Sequence, residues 1–139
     1  PSFISGHLIR RFGVLQVMLV GGLLSAVCVG INLTGTGLSH FWLALFLLGV
    51  GWNFLFIGAT TLLTETYRPE EKAKTQALND FLVFSTVTIA VLSAGSLQNH
   101  LGWRAVNYGV MPLIAVTVIA VAWLLLARRS AMSVANTPP

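Results

Sequence analysis

The twelve charged side chains of this 139-residue chain fall into four clusters, and long uncharged stretches separate them. Arg10 and Arg11 form the first, Glu65 to Asp80 the second, Arg104 stands alone as the third, and Arg128 with Arg129 is the fourth. Fifty-three uncharged residues lie between Arg11 and Glu65, 23 between Asp80 and Arg104, and 23 between Arg104 and Arg128. A helix of about 20 apolar residues crosses the hydrocarbon core of a bilayer. Each shorter gap therefore fits one crossing, and the long gap fits two crossings joined by an uncharged turn. The charge map predicts an all-α polytopic membrane protein with four full spans, over about 14–33, 41–63, 77–97 and 106–127. Ahead of them, Phe3 to Ile9 reads as an N-terminal helix stub, the last turns of a helix that begins earlier.

Composition supports this reading and closes others. The chain is 55% hydrophobic and 9% charged, with a mean hydropathy of +0.82. A soluble domain carries about 25% charged residues, and there are too few here to coat a water-facing helical bundle. The net charge of +4 and the pI near 10 do not indicate nucleic acid, because the eight basic residues are spread over separate loops rather than clustered on one face. Cys28, the single cysteine, excludes a disulfide framework and reads as a buried thiol within a span. The chain starts at Pro1, and an apolar start followed by Arg10 and Arg11 is the reverse of a signal peptide. The expectation is a fragment of a longer protein.

The connections alternate in basic content. Seven Lys and Arg flank the inner ends (Arg10, Arg11, Arg68, Lys72, Lys74, Arg128 and Arg129), and Arg104 alone lies on the other side. The positive-inside rule then puts both chain ends in the cytoplasm. Trp42, Trp103 and Tyr67 stand at span ends, as aromatic belts require. In the inner loop, Pro69 suits a first helical position, and Glu70 and Glu71 complement the helix dipole, so a short helix is expected to run into the third span. Pro112 should kink the fourth. Residues 130–139 are small and polar and read as a disordered cytoplasmic tail after a bundle occupying 1–129.

The four spans differ in polarity. The first is nearly all aliphatic, with Gly22, Ala26 and Gly30 as a candidate contact stripe. The fourth is aliphatic too. The second contains Trp52, Asn53, Thr60 and Thr61, and the third contains Asn79, Asp80, Ser85, Thr86, Thr88, Ser93 and Ser96. Polar groups at membrane depth face a protein interior or a cavity, so spans two and three should line something, while spans one and four face lipid or support them. Trp52, Asn53, Phe56 and Asn79 are the substrate or cavity candidates. For Asn53 the alternative is an interhelical hydrogen bond, worth about 0.6 kcal/mol. Asp80 and Glu65 are the coupling or gating candidates, because intramembrane acids bind protons or cations by default. For both, the alternative is a structural ion pair.

Other chemistry finds no support. His7, His40 and His100 are isolated and lack metal-ligand spacing. The Asn32-Leu33-Thr34 sequon lies too close to the membrane to be informative. There is no phosphate loop, no Ser-His-Asp set and no paired acids in one cavity. No metal, no cofactor, no catalytic residue and no enzyme activity is expected.

Gly6-His7-Leu8-Ile9-Arg10-Arg11-Phe12-Gly13 resembles the short cytoplasmic loop motif of the major facilitator superfamily, G-x-L-x-D-R-x-G-R-K, at Gly6, Leu8, Arg11 and Gly13. The motif's acid is replaced by Arg10 and its trailing basic pair by Val14 and Leu15, which points to the weaker copy between the eighth and ninth helices. Leu47 to Lys74 resembles the tenth helix and the loop after it, and Leu101-Gly102-Trp103-Arg104 the outer turn before the last helix. The resemblance implies the end of helix eight through helix twelve, about a third of a complete transporter. It also implies that the tenth and eleventh helices line a central cavity.

What the resemblance implies for function is a multi-pass permease of a bacterial inner membrane, carrying a small solute by alternating access with protons as the candidate coupling ion. The partners are then the bilayer, the solute and the missing N-terminal helices of the same transporter, with no nucleic acid. Two alternatives stand beside it. One is a complete four-helix dimeric transporter like the small multidrug resistance proteins, although those carry an acid deep in the first helix and span one has none. The other is a non-transporting membrane subunit or the remnant of a disrupted gene.

Overall fold

Hydrocarbon offers no hydrogen bonds, so a chain this apolar has to satisfy its backbone internally, and the helix does so within each segment. The computed structural model describes residues 2–35 and 37–135. Their regular structure is helical throughout, in the order α1 (Ser2–Phe12), α2 (Val14–Thr34), α3 (Leu38–Thr64), a 3-10 turn (Pro69–Glu71) and α4 (Lys72–Ala135). Three of these runs are long and apolar enough to cross a membrane: Val14–Thr34, Leu38–Thr64 and the 63 residues Pro69–Ala131.

The last run contains two crossings. A straight helix of 64 residues would be about 96 Å long against a hydrocarbon core of about 30 Å. It breaks at Gly102, where φ is 80° and ψ 174°. On the far side of the break, Leu97 Cδ2 lies 3.9 Å from where a Cβ on Gly109 would sit. Twelve residues of straight helix would hold these positions about 18 Å apart, so the chain folds back on itself. We call the two halves α4a (72–101) and α4b (103–135). A left-handed φ is costly for any residue with a Cβ, which is why glycine stands at this turn. Gly13 (φ 92°) makes the corresponding break between α1 and α2.

Pro112 sits within α4b, where the φ/ψ values stay helical; the interruption of this run belongs to Gly102. In the inner loop, Pro69 opens the 3-10 turn with Glu70 and Glu71 in it, and α4a follows directly. Where the sequence suggests a disordered tail from Ser130, α4b instead continues to Ala135. Ser130 Oγ donates to the Leu126 carbonyl at 3.1 Å, and alanine among the following residues favours helix. Residues 136–139 lie outside the described residues.

The core gathers around α2. Leu15 and Met18 of α2 and Val121 of α4b are its buried centre, with Leu55 and Leu62 of α3 and Leu124 and Leu125 of α4b packed against them. Close approach is permitted by small residues. A Cβ on Gly51 would sit 2.8 Å from both the Gly21 carbonyl oxygen and Ser25 Oγ, and one on Gly21 would sit 2.9 Å from the Gly51 carbonyl. On α3 the buried positions are Ala44, Gly51 and Gly58, seven residues apart. This corrects the stripe expected at Gly22, Ala26 and Gly30. Gly22 does meet a neighbour, Val118 of α4b, but Ala26 and Gly30 are exposed. Steps of four drift by about 40° each around a helix of 3.6 residues per turn. The face that stays in contact alternates threes and fours, through Met18, Gly21, Ser25 and Cys28.

Candidate functional site

The polar residues of spans two and three occupy three separate places. In the middle of α3, four residues apart on one face, the rings of Trp52 and Phe56 stack with centroids 6.1 Å apart and planes 16° from parallel. Trp52 is 51% exposed, so the pair forms an open aromatic ledge. Beside it, Asn53 Oδ1 accepts a hydrogen bond at 2.5 Å from Ser5 Oγ, whose side chain is fully buried. The amide thereby ties α1 to α3, the structural option weighed for it. Thr60 and Thr61 direct their hydroxyls to the carbonyls of Phe56 and Ile57 at 2.9 and 2.7 Å, the local bonding that keeps such residues unremarkable within helices.

The second place is the inner part of α4a. Asp80 lines an open groove with Phe81, Phe84, Ser85, Thr88 and Ile89, two rows at helical spacing on one side of a single helix. Its neighbour is the Asn79 amide, Nδ2 to Oδ1 at 3.4 Å. The structural ion pair considered for Asp80 is not formed among the described residues. Among the described residues the ion pair is made by another acid, Glu65, and Arg128, 2.9 Å apart and each about half exposed. This third place joins the C-terminal end of α3 to the C-terminal part of α4b, across 63 residues of sequence. Among the described residues, the geometry gives Glu65 a structural partner and gives Asp80 no cationic one.

No hydrogen bond or ion pair among the described residues links the Trp52–Phe56 ledge to Asn79 or Asp80. The sequence placed these candidates on two spans that ought to line one space. In this chain they are two separate exposed surfaces. Sequence reasoning missed Ser5 and Arg128 as the partners of Asn53 and Glu65. Arg128 had a legible signal, since it and Glu65 both stand where a span meets the basic side. Ser5 had none, being a small hydroxyl in the stub before the first span.

The loop motif residues hold the turn between α1 and α2. Gly13 supplies the positive φ, and its N–H bonds the Ile9 carbonyl at 2.9 Å. Leu8 lines a nearly all-apolar crevice with Phe12, Val17 and Phe54. Arg11 lies 5.6 Å over the Phe12 ring, a cation–π contact. Gly6 is in open space, so the structure gives no steric reason for glycine there.

Comparison with known proteins gives a consistent set of matches. The family model described as Major Facilitator Superfamily matches residues 2–138. The riboflavin transporter RfnT of Brucella anthropi is 44% identical over 119 residues, covering 86% of this chain and 30% of its own length. The uncharacterized MFS-type transporters YddS and YdeG of Bacillus subtilis are 31% and 28% identical over 123 residues each, again 86% of this chain. This chain thus spans 28 to 30% of the length of these relatives. No solved structure gives a significant match.

Proposed function

The chain belongs to the major facilitator superfamily, and from that premise we propose that it serves in a secondary transporter that moves a small neutral, planar solute of the flavin class across a bacterial inner membrane. The observation that carries the solute class is the 44% identity with a riboflavin transporter over 86% of this chain. The chemistry of the exposed surfaces supports it. The Trp52–Phe56 ledge offers a flat ring something to stack on, and hydroxyl and amide groups stand beside it. Among the described residues no cation pairs with Asp80, the candidate coupling acid.

Alternating access by rocking of helical bundles around a midplane site fits a packed α2–α3–α4b core with the Trp52–Phe56 ledge on α3 and the Asp80 groove on α4a outside it. The basic ends carrying Arg10, Arg11, Lys72, Lys74, Arg128 and Arg129 then lie in the cytoplasm. The test is uptake of radiolabelled riboflavin into a riboflavin-requiring bacterium that lacks its own importer and expresses the protein from its native gene. Growth and saturable uptake at low riboflavin are expected. Uptake no better than the empty vector, with the protein present in the membrane, would reject the flavin reading.

A further inference from the structure

At the end of the bundle opposite the Glu65–Arg128 pair, four helix ends converge on a cavity of about 330 Å³ lined by Asn32, Gly35, Phe41, Gln98 and Trp103. Asn32 comes from the last turn of α2, Phe41 from the first turn of α3, Gln98 from the end of α4a and Trp103 from the start of α4b. The turn at Gly102 brings the last two together. Asn107, itself buried, donates to the Trp103 carbonyl at 2.9 Å and so holds that first turn in place.

The lining is specific in what it contains and in what it leaves out. Two carboxamides and two aromatic rings line it, and no charged group does. The volume falls within the range of about 300–1,000 Å³ typical of small-molecule sites. The hydrogen-bonding groups are largely unengaged. Among the described residues, Gln98 and the Trp103 indole N–H have no protein partner, and Asn32 makes only a long Nδ2 contact of 3.8 Å to Cys28 Sγ. A half-buried amide at Asn32 and an exposed one at Gln98, both with open valences, together with aromatic walls suit a neutral, flat solute that presents both donors and acceptors on one edge. An isoalloxazine ring does this, since its imide edge carries two carbonyls flanking an N–H, which carboxamides complement, and its faces stack on indole and phenyl rings.

We propose that this cavity is a second solute site, on the outer face, that binds the flavin ring apart from the Trp52–Phe56 ledge. The inference rests on the flavin reading above. It assigns Asn32 and Gln98 to the imide edge and Trp103 to the ring face, while the sugar-like tail stays in water.

The test is equilibrium dialysis of riboflavin against the purified protein, produced from its native gene, in lipid nanodiscs. The wild type should bind at two classes of site. Asn32→Leu combined with Gln98→Leu, which keeps volume and removes both amides, should weaken one class by at least tenfold, as expected for two lost hydrogen bonds. The other class and the melting temperature should not change. Trp103→Leu should do the same, and Trp103→Phe should restore most of the binding. Lumiflavin, the ring without its tail, should displace riboflavin from this site, and ribitol should not. Riboflavin binding that all these variants leave untouched would overturn the outer site and leave the flavin reading standing. Amide variants that lower the melting temperature and weaken both classes together would also overturn it, because the amides would then be structural. A wild type that binds no riboflavin would reject the flavin reading, and this site with it.

Discussion

α2 and α4a are both long enough to cross a bilayer, yet α2 has eight buried residues and 72–101 has none. The more apolar helix is at the centre and the more polar one is on the outside, the order that water imposes on a soluble protein, but water is not what imposes it here. In a bilayer, lipid solvates leucine as well as another helix does, so apolarity does not drive a helix inward. Close backbone approach does. α2 has Gly21, Gly22 and Ser25 to offer α3 and α4b. α4a has Phe81, Leu82, Phe84 and Leu92, all more than half exposed, and a glycine at 95 with nothing near it. The difference separates two jobs along one chain. α2 holds the bundle, and α4a presents Asn79 and Asp80 to a space this chain does not fill.

That contrast can be broken first at its tightest point. Gly51→Leu would drive a side chain into the Gly21 carbonyl and Ser25. It should lower stability by about 3 kcal/mol, the upper part of the overpacking range, seen as a large drop in the melting temperature in detergent. Gly30→Leu, on the exposed side of α2, should stay within about 0.5 kcal/mol. If the two variants melted alike, small-residue contact would not be what centres α2.

The hinge comes next. Gly102→Val and Gly102→Asn should each cost about 1–3 kcal/mol, because φ 80° with ψ 174° is a region open essentially to glycine alone. No loss in either variant would show that Gly102 is not held there. A smaller effect is expected at the inner end. Glu65→Gln should cost about 0.2–1 kcal/mol, as for other half-exposed ion pairs. A double-mutant cycle with Arg128→Met measures the coupling, which should shrink in high salt. Coupling beyond that range, or indifferent to salt, would mean that the pair is more enclosed than the 46% and 48% exposures allow.

The sharpest contrast has the smallest effect on stability. Asp80→Asn removes an exposed, unpaired charge, so the melting temperature should be unchanged. Under the proposed proton-coupled function, uptake of the solute should nonetheless be lost, together with its dependence on external pH. Normal pH-dependent uptake by this variant would end the coupling role. For orientation, a reporter fused after Leu38 should read extracytoplasmic, and a cytoplasmic reading would invert both faces of the scheme.

Much of the fold could be read from the sequence because charge is excluded from hydrocarbon almost without exception. The gaps between Arg11, Glu65, Asp80, Arg104 and Arg128 correspond to the long apolar helices, and the reversal at Gly102 falls between the two spans expected at 77–97 and 106–127. Of the residues that the polarity difference singled out, Trp52 and Asp80 are exposed, and Asn53, Phe56 and Asn79 are half-buried. The candidate site was less legible. Polarity says that Asn53, Glu65 and Asp80 each need a partner or water, and it does not say which. Ser5 and Arg128 lie 48 and 63 residues from the groups they meet, and no periodic pattern spans such distances.

By itself the sequence determined that the chain is helical, that its long helices are apolar enough for a membrane and which of them carry polar groups. These follow from transfer energies and backbone chemistry that act on each segment alone. Only the tertiary structure decided that α2 is the hub, that Gly21 and Gly51 rather than Ala26 and Gly30 make the contact, that Asn53 and Glu65 are engaged while Asp80 is not, and that four helix ends enclose the cavity at Trp103. Those outcomes depend on which surfaces approach closely, and in a lipid solvent that is settled by the fit between helices rather than by their hydrophobicity.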